Sequence, residues 1–141
     1  MPEKIIRYCK ETGQPAPESP GQFARCILES LALLYRLTIE EIEQAIGHSI
    51  QRLYIVGGGS QNALLNEFAA HATEREVVAG PVEATAIGNV LIQAIALGHV
   101  ESLAALRRIV CDSFPLQIFK PRVAADWRTA YQRFHGLNLL T

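Results

Sequence analysis

The stretch LYIVGGGSQNALLNEF, residues 53–68, holds the residue types best suited to chemistry. Gly57, Gly58 and Gly59 follow a short apolar run and precede a helical pattern. Glycine reaches positive φ and puts no side chain between the backbone and a ligand. A helix start leaves N–H groups unpaired, and its dipole favours negative charge. Ser60 is placed to cap the helix that follows, and Asn62 brings an amide that both donates and accepts. A strand, a glycine turn and a helix start together suit an anion or a nucleotide. A tight turn that holds nothing has the same spacing. Two familiar phosphate motifs fail here. G-x-x-x-x-G-K-[S/T] needs a lysine that does not follow. G-x-G-x-x-G is met by Gly57 and Gly59 but has Asn62 at its third glycine, and VVAG runs to Pro81 with no acidic residue.

Other candidates are weaker. His48, His71, His99 and His135 share no ligand spacing, so no metal site is expected. Cys9, Cys26 and Cys111 contain no C-x-x-C and read as reduced, mostly packed thiols. Cys111-Asp112-Ser113 carries nucleophilic atoms without an oriented base, and reads as a helix terminus. Glu40, Glu41 and Glu43 read as a solvated helix face, and no catalytic residue is assigned. Trp127, Tyr131 and Phe134 recur at helical spacing, as core packing does, or as a patch that a missing partner would cover.

The elements that position the glycines follow from periodicity. Residues 1–20 carry Pro2, Pro15, Pro17 and Pro20 and read as a loop-rich lead-in. Ser19, Pro20 and Gln22 form a capping-box start to a helix with Gly47 as its stop; Thr38 and Glu41 could begin a second helix inside it. RLYIV, 52–56, and EVVAG, 76–80, read as buried strands, with an amphipathic helix between them. EATAIGNVLIQAIALG, 83–98, reads as a helix with an Ala84, Ile87, Leu91, Ile95 stripe. Ser102 caps another helix to about Val110, FPLQIFKPR reads as loop, and 123–136 as a final helix. Both strands lead into helices, which predicts parallel neighbours. Two parallel strands alone are a poor sheet, because parallel sheets want more strands and both faces covered. The pattern is that of half of a larger α/β domain with an unpaired sheet edge, a feature that invites self-association.

Composition limits the function classes. The chain has 141 residues, the size of one domain, with 49% hydrophobic and 19% charged residues. Its net charge of −1 gives no basic excess for nucleic acid. No apolar run approaches the ~18 residues of a membrane span. No signal-peptide pattern begins the chain, so a cytoplasmic location is expected.

VGGGSQNALLNEF followed by GPVEATAIGNVLIQAIALG resembles the carboxyl-terminal domain of FGGY-family carbohydrate kinases, and within the family the rhamnulokinases. The resemblance runs from about Ser19 to Phe119, and the two motifs together are more specific than either alone. It implies an α/β fold, part of a ribonuclease H-like, actin-like ATPase domain, with a short mostly parallel sheet flanked by helices. It implies transfer of the γ-phosphoryl of ATP, with Mg²⁺ accompanying it, to a ketose hydroxyl, as in L-rhamnulose to L-rhamnulose 1-phosphate. Residues 56–62 match the adenosine motif. Gly57 would be the turn, Gly58 and Gly59 would approach ribose and phosphates, Ser60 and Gln61 would line the pocket, and Asn62 would contact adenine. EATAIG, 83–88, would pack behind, with Ala84, Ala86 and Gly88 letting that helix approach the sheet. The family's amino-terminal phosphate turns, its catalytic aspartate and its sugar-binding domain have no match here. A fragment of such a kinase, or the product of a truncated gene, is therefore expected, with ATP or ADP as ligand and sugar bound only through an absent upstream domain. A stand-alone nucleotide-binding or self-associating module is the alternative.

Overall fold

A computed structural model describes residues 1–122 and 125–137 of the chain. In order, the elements are α1 (Pro2–Glu11), α2 (Pro20–Ile46), β1 (Arg52–Ile55), a 3-10 turn (Gly57–Gln61), α3 (Ala63–Thr73), β2 (Glu76–Ala79), α4 (Ala84–Ala96), α5 (Leu103–Ser113), β3 (Gln117–Phe119) and α6 (Ala125–His135). Helix α2 begins at the expected capping box: Gln22 N–H donates to Ser19 Oγ at 3.3 Å, and Ser19 N–H donates to Gln22 Oε1 at 3.2 Å. It runs unbroken through Thr38 for 27 residues and stops at Gly47, whose φ of 74° is left-handed. Of the last helix expected over 123–136, Val123 and Ala124 lie outside the described residues.

Two expectations are corrected. The lead-in 1–20 is not loop throughout, because α1 occupies Pro2–Glu11. Pro2 stands in its first turn, where the missing N–H is no loss, and Ile5, Ile6 and buried Cys9 form its less exposed side. FPLQIFKPR is not all loop either: Gln117–Phe119 forms β3, between Pro115 and Pro121. Prolines flanking a three-residue edge strand remove no ladder bond from it.

The sheet is mixed, in the order β1-β2-β3. β1 and β2 are parallel, as expected, and β3 adds antiparallel to β2. Leu53, Val77 and Phe119 stand in register across it, as do Tyr54, Val78 and Ile118. The two rows face opposite sides. The first packs with Ile55, Ala69, Ala70 and Tyr35 against α3 and α2. In the second row Tyr54 is 60% and Ile118 58% exposed, so this side is open at both edges. A second core lies on the far side of α3, where Ala32, Leu33, Phe68, Ala72 and Tyr131 join Trp127 and Phe134. Helix α3 is thus packed on both sides. Among the described residues no helix is long and apolar enough to cross a membrane.

Candidate functional site

Both parallel strands end in glycine at the same end of the sheet. Gly80 N–H donates to Ile55 C=O at 2.8 Å, and Gly57 N–H donates to Pro81 C=O at 3.1 Å. These bonds carry the ladder past the strands and bind the turn to the segment after β2. Gly80 is in tight quarters, since a Cβ there would lie 3.0 Å from a Val56 methyl that would have to give way. Gly57 has φ +75°, which a side chain would strain. Gly58 has neither constraint: its φ is ordinary and a Cβ would meet nothing within 4 Å. Among the described residues no acceptor is bonded to the Gly58 amide. A Cβ on Gly59 would reach an Ile55 methyl at 3.6 Å, an ordinary contact.

The polar residues divide their work differently from the sequence reading. Ser60 does not cap α3. It is buried, and its hydroxyl donates to Gly57 C=O at 2.7 Å. Asn62 is the cap instead: its Oδ1 accepts from Leu65 N–H at 3.0 Å, which leaves Nδ2 as its free donor. Gln61 is exposed. The expected approach of Ala84, Ala86 and Gly88 to the sheet is not what is found. No residue of α4 is buried, and a Cβ on Gly88 would touch nothing within 4 Å. The stripe Ala84, Ile87, Leu91 and Ile95 is nevertheless its less exposed side.

Asn66 escaped the sequence reading. It is fully buried on α3, and its Nδ2 donates to Ser60 C=O at 2.9 Å. A polar residue between the apolar Leu65 and Phe68, four after Asn62, was its signal.

The opposite end of the sheet carries charge. Arg75 donates to Ile50 C=O at 2.7 Å and Thr73 C=O at 2.6 Å, and its Nη2 donates to both Glu43 carboxylate oxygens at 2.7 and 2.9 Å. The Ile50 N–H that Glu43 accepts, and then Arg75, hold the Glu43 carboxyl below its ordinary range. Glu40 accepts from Arg36 at 2.8 Å and from the Tyr131 hydroxyl at 2.6 Å. Burial, then Glu40, pushes the Tyr131 phenol up to about 12. The solvated face expected of Glu40, Glu41 and Glu43 is therefore true of Glu41 alone, which is exposed and unbonded among the described residues. Shallow depressions beside these groups are lined by Glu40, Glu43, Ser49 and Arg75 and do not reach the glycines. Among the described residues no group of histidine, cysteine and carboxylate side chains could hold a metal ion. Asp112 and Ser113 end α5, as expected of a helix terminus, with Cys111 exposed.

The small mixed sheet flanked by helices has the actin-like fold of sugar kinases. Its likeness to the crystal structure of xylulose kinase from Rhodospirillum rubrum has a TM-score of 0.70 at 22% identity, over 89% of this chain and 26% of that one. The chain belongs to the FGGY family of carbohydrate kinases, whose C-terminal domain matches residues 2–97. The rhamnulokinase of Bacteroides thetaiotaomicron is 48% identical over 134 residues, 95% of this chain. That of Pectobacterium atrosepticum is 46% identical over 138 residues, 98% of this chain. The chain spans 28% of the length of each of these relatives.

Proposed function

We propose that this chain is the carboxyl-terminal part of the second domain of an ATP-dependent carbohydrate kinase, with residues 56–62 as the adenosine side of its cleft. The observation that carries this reading is Gly58. Among the described residues nothing demands a glycine there, so the missing side chain leaves room for something outside the chain. In open α/β sheets that place, beyond the carboxyl ends of the strands, is where ligands bind. Gly58 and Gly59 offer backbone to ribose and phosphate, and Asn62 Nδ2 suits a ring nitrogen of adenine. Gly57 and Ser60 hold the turn, and exposed Gln61 borders it. The reaction is γ-phosphoryl transfer to a ketose hydroxyl. The names of the relatives favour L-rhamnulose, giving L-rhamnulose 1-phosphate. Mg²⁺ would arrive with the phosphates of ATP, its usual ligands in such sites.

The same reading makes the chain inactive alone. Phosphoryl transfer requires a base for the hydroxyl and charge stabilisation from several segments. Glu40, Glu43 and Glu74 are already bonded to Tyr131, Arg75 and Arg128. A coupled assay with ATP and L-rhamnulose should stay at background, while ADP titrated into ¹⁵N-labelled chain should shift the amides of residues 57–62. Turnover by the chain, or shifts at the Arg75 end of the sheet instead, would refute it. A second reading, a non-catalytic nucleotide-binding or self-associating module, is favoured by exposed Tyr54 and Ile118 on the open sheet face.

A further inference from the structure

Asn66 has an unusual set of bonds for a fully buried amide. Its backbone N–H donates to Asn62 C=O at 3.0 Å and its Nδ2 donates to Ser60 C=O at 2.9 Å. Its Oδ1 is buried and, among the described residues, unpaired. An unpaired buried carbonyl oxygen is destabilising, and native interiors hold few of them. Leucine, of similar volume, would remove that penalty. What leucine cannot do is donate to Ser60.

The Ser60 carbonyl is the first link of a series. Ser60 Oγ–H donates to Gly57 C=O at 2.7 Å, Gly57 N–H donates to Pro81 C=O at 3.1 Å, and Gly80 N–H donates to Ile55 C=O at 2.8 Å. The bonds run from the packed interior of α3, through the turn, to the ends of both parallel strands. Gly58 stands between two fixed points, and its amide is unbonded among the described residues. We propose that Asn66 is a positioning residue for nucleotide: it holds the turn from below, so that the Gly58 and Gly59 backbone is set before a nucleotide arrives. The inference rests on the reading of residues 57–62 as the nucleotide turn. Groups fixed in advance bind without the ordering that a loose turn would have to undergo.

The test uses the 141-residue chain, with ADP as probe. Asn66→Leu should weaken ADP about tenfold, the effect of one hydrogen bond, and speed hydrogen exchange at the Gly57 amide. Thr73→Ala is the control. Thr73 is also buried on α3, but its hydroxyl donates to Ala69 C=O at 2.7 Å, away from the turn. It should lower the unfolding midpoint and leave ADP affinity as it was. Asn66→Asp gives a reading that loss of packing would not. A protonated carboxyl donates to Ser60 as the amide does, whereas an ionised one repels it. Its ADP affinity relative to the unaltered chain should fall with rising pH, within the range of about 5 to 9 that buried carboxyls reach. Asn66→Asp also carries the test where Asn66→Leu does not fold. ADP bound equally well by the Asn66 variants, or weakened as much by Thr73→Ala, overturns the positioning role alone. No ADP response at residues 57–62 in the unaltered chain overturns the nucleotide reading and this inference with it.

Discussion

Three consecutive glycines with three different surroundings make separable predictions. Gly57 sits at φ +75°, so Gly57→Ala should destabilise the chain by about 1–2 kcal/mol, the usual strain of a side chain in that region. Gly58→Ala should leave stability within about 0.5 kcal/mol, as substitutions in open surroundings do, because its Cβ meets nothing within 4 Å. Urea unfolding measures both. The ligand response should reverse the order of importance: Gly58→Ala should remove ADP-induced shifts from a chain as stable as the original. A Gly58→Ala variant that binds ADP unchanged would leave the open space without a function. Sequence alone could name these glycines but not rank them. Gly57, at positive φ, bonds to Pro81, and the tightness at Gly80 comes from Val56, contacts between segments far apart in the chain. Asn66 went unnoticed for a related reason. Its role exists only once the 3-10 turn brings the Ser60 carbonyl over α3.

At the scale of elements, a buried phenol sits where α6 meets α2. Tyr131 packs among Leu33, Phe68 and Ala72, donates to Glu40, and lies under the Arg36 guanidinium at 4.2 Å. Its phenol is pushed from 10.0 to about 12, first by burial and then by Glu40. The sign follows from which form the fold prefers. The folded chain favours neutral phenol, so this stabilisation is whole below pH 10 and is lost as pH rises toward 12. Tyr131→Phe should cost about 1 kcal/mol at neutral pH, the net worth of a hydrogen bond. It should also flatten the alkaline loss in thermal melts taken across that window. An alkaline limb as steep in the variant as in the original chain would assign that loss to other groups. The elements themselves were largely legible because their signals are local. Ser19 and Gln22 close a capping box, Gly47 ends α2 in the left-handed region, and Ser102 caps α5 through Ala105 N–H. What failed was set by distant partners. β3 is three residues that become a strand only beside Val77 and Val78. α1 is masked in the sequence by the prolines of residues 1–20, although Pro2 stands where a helix tolerates it. The carboxylates of α2 looked solvated until Arg75 and Tyr131 arrived from later in the chain.

For the molecule as a whole, the unequal sides of the sheet decide behaviour. Leu53, Ile55, Val77 and Phe119 pack against the helices, whereas Tyr54 and Ile118 flank Val78 on the open side. Helix α4, with no residue buried, has Val90 at 65% exposure, and Leu97 just past its end is at 72%. Apolar surface left in water favours association, and an exposed edge strand such as β1 offers unpaired backbone to a neighbour. The chain by itself should therefore self-associate as its concentration rises. Salt should not weaken that association, because contact between apolar side chains carries no charge to screen. Ile118→Lys tests the cause. It places a charge on the open face at a position already exposed, so the unfolding free energy should move by less than about 0.5 kcal/mol. Light scattering after gel filtration should then show a smaller mean mass at the same concentration. Val77→Ala is the contrast: Val77 is fully buried against α3, and its loss should cost about 1–3 kcal/mol, set by the lost methyl groups and the cavity left behind. It should increase association, because a loosened core exposes more apolar surface. A mass distribution indifferent to Ile118→Lys would mean that the open face does not drive association, and the edge of β1 would then be the surface to alter.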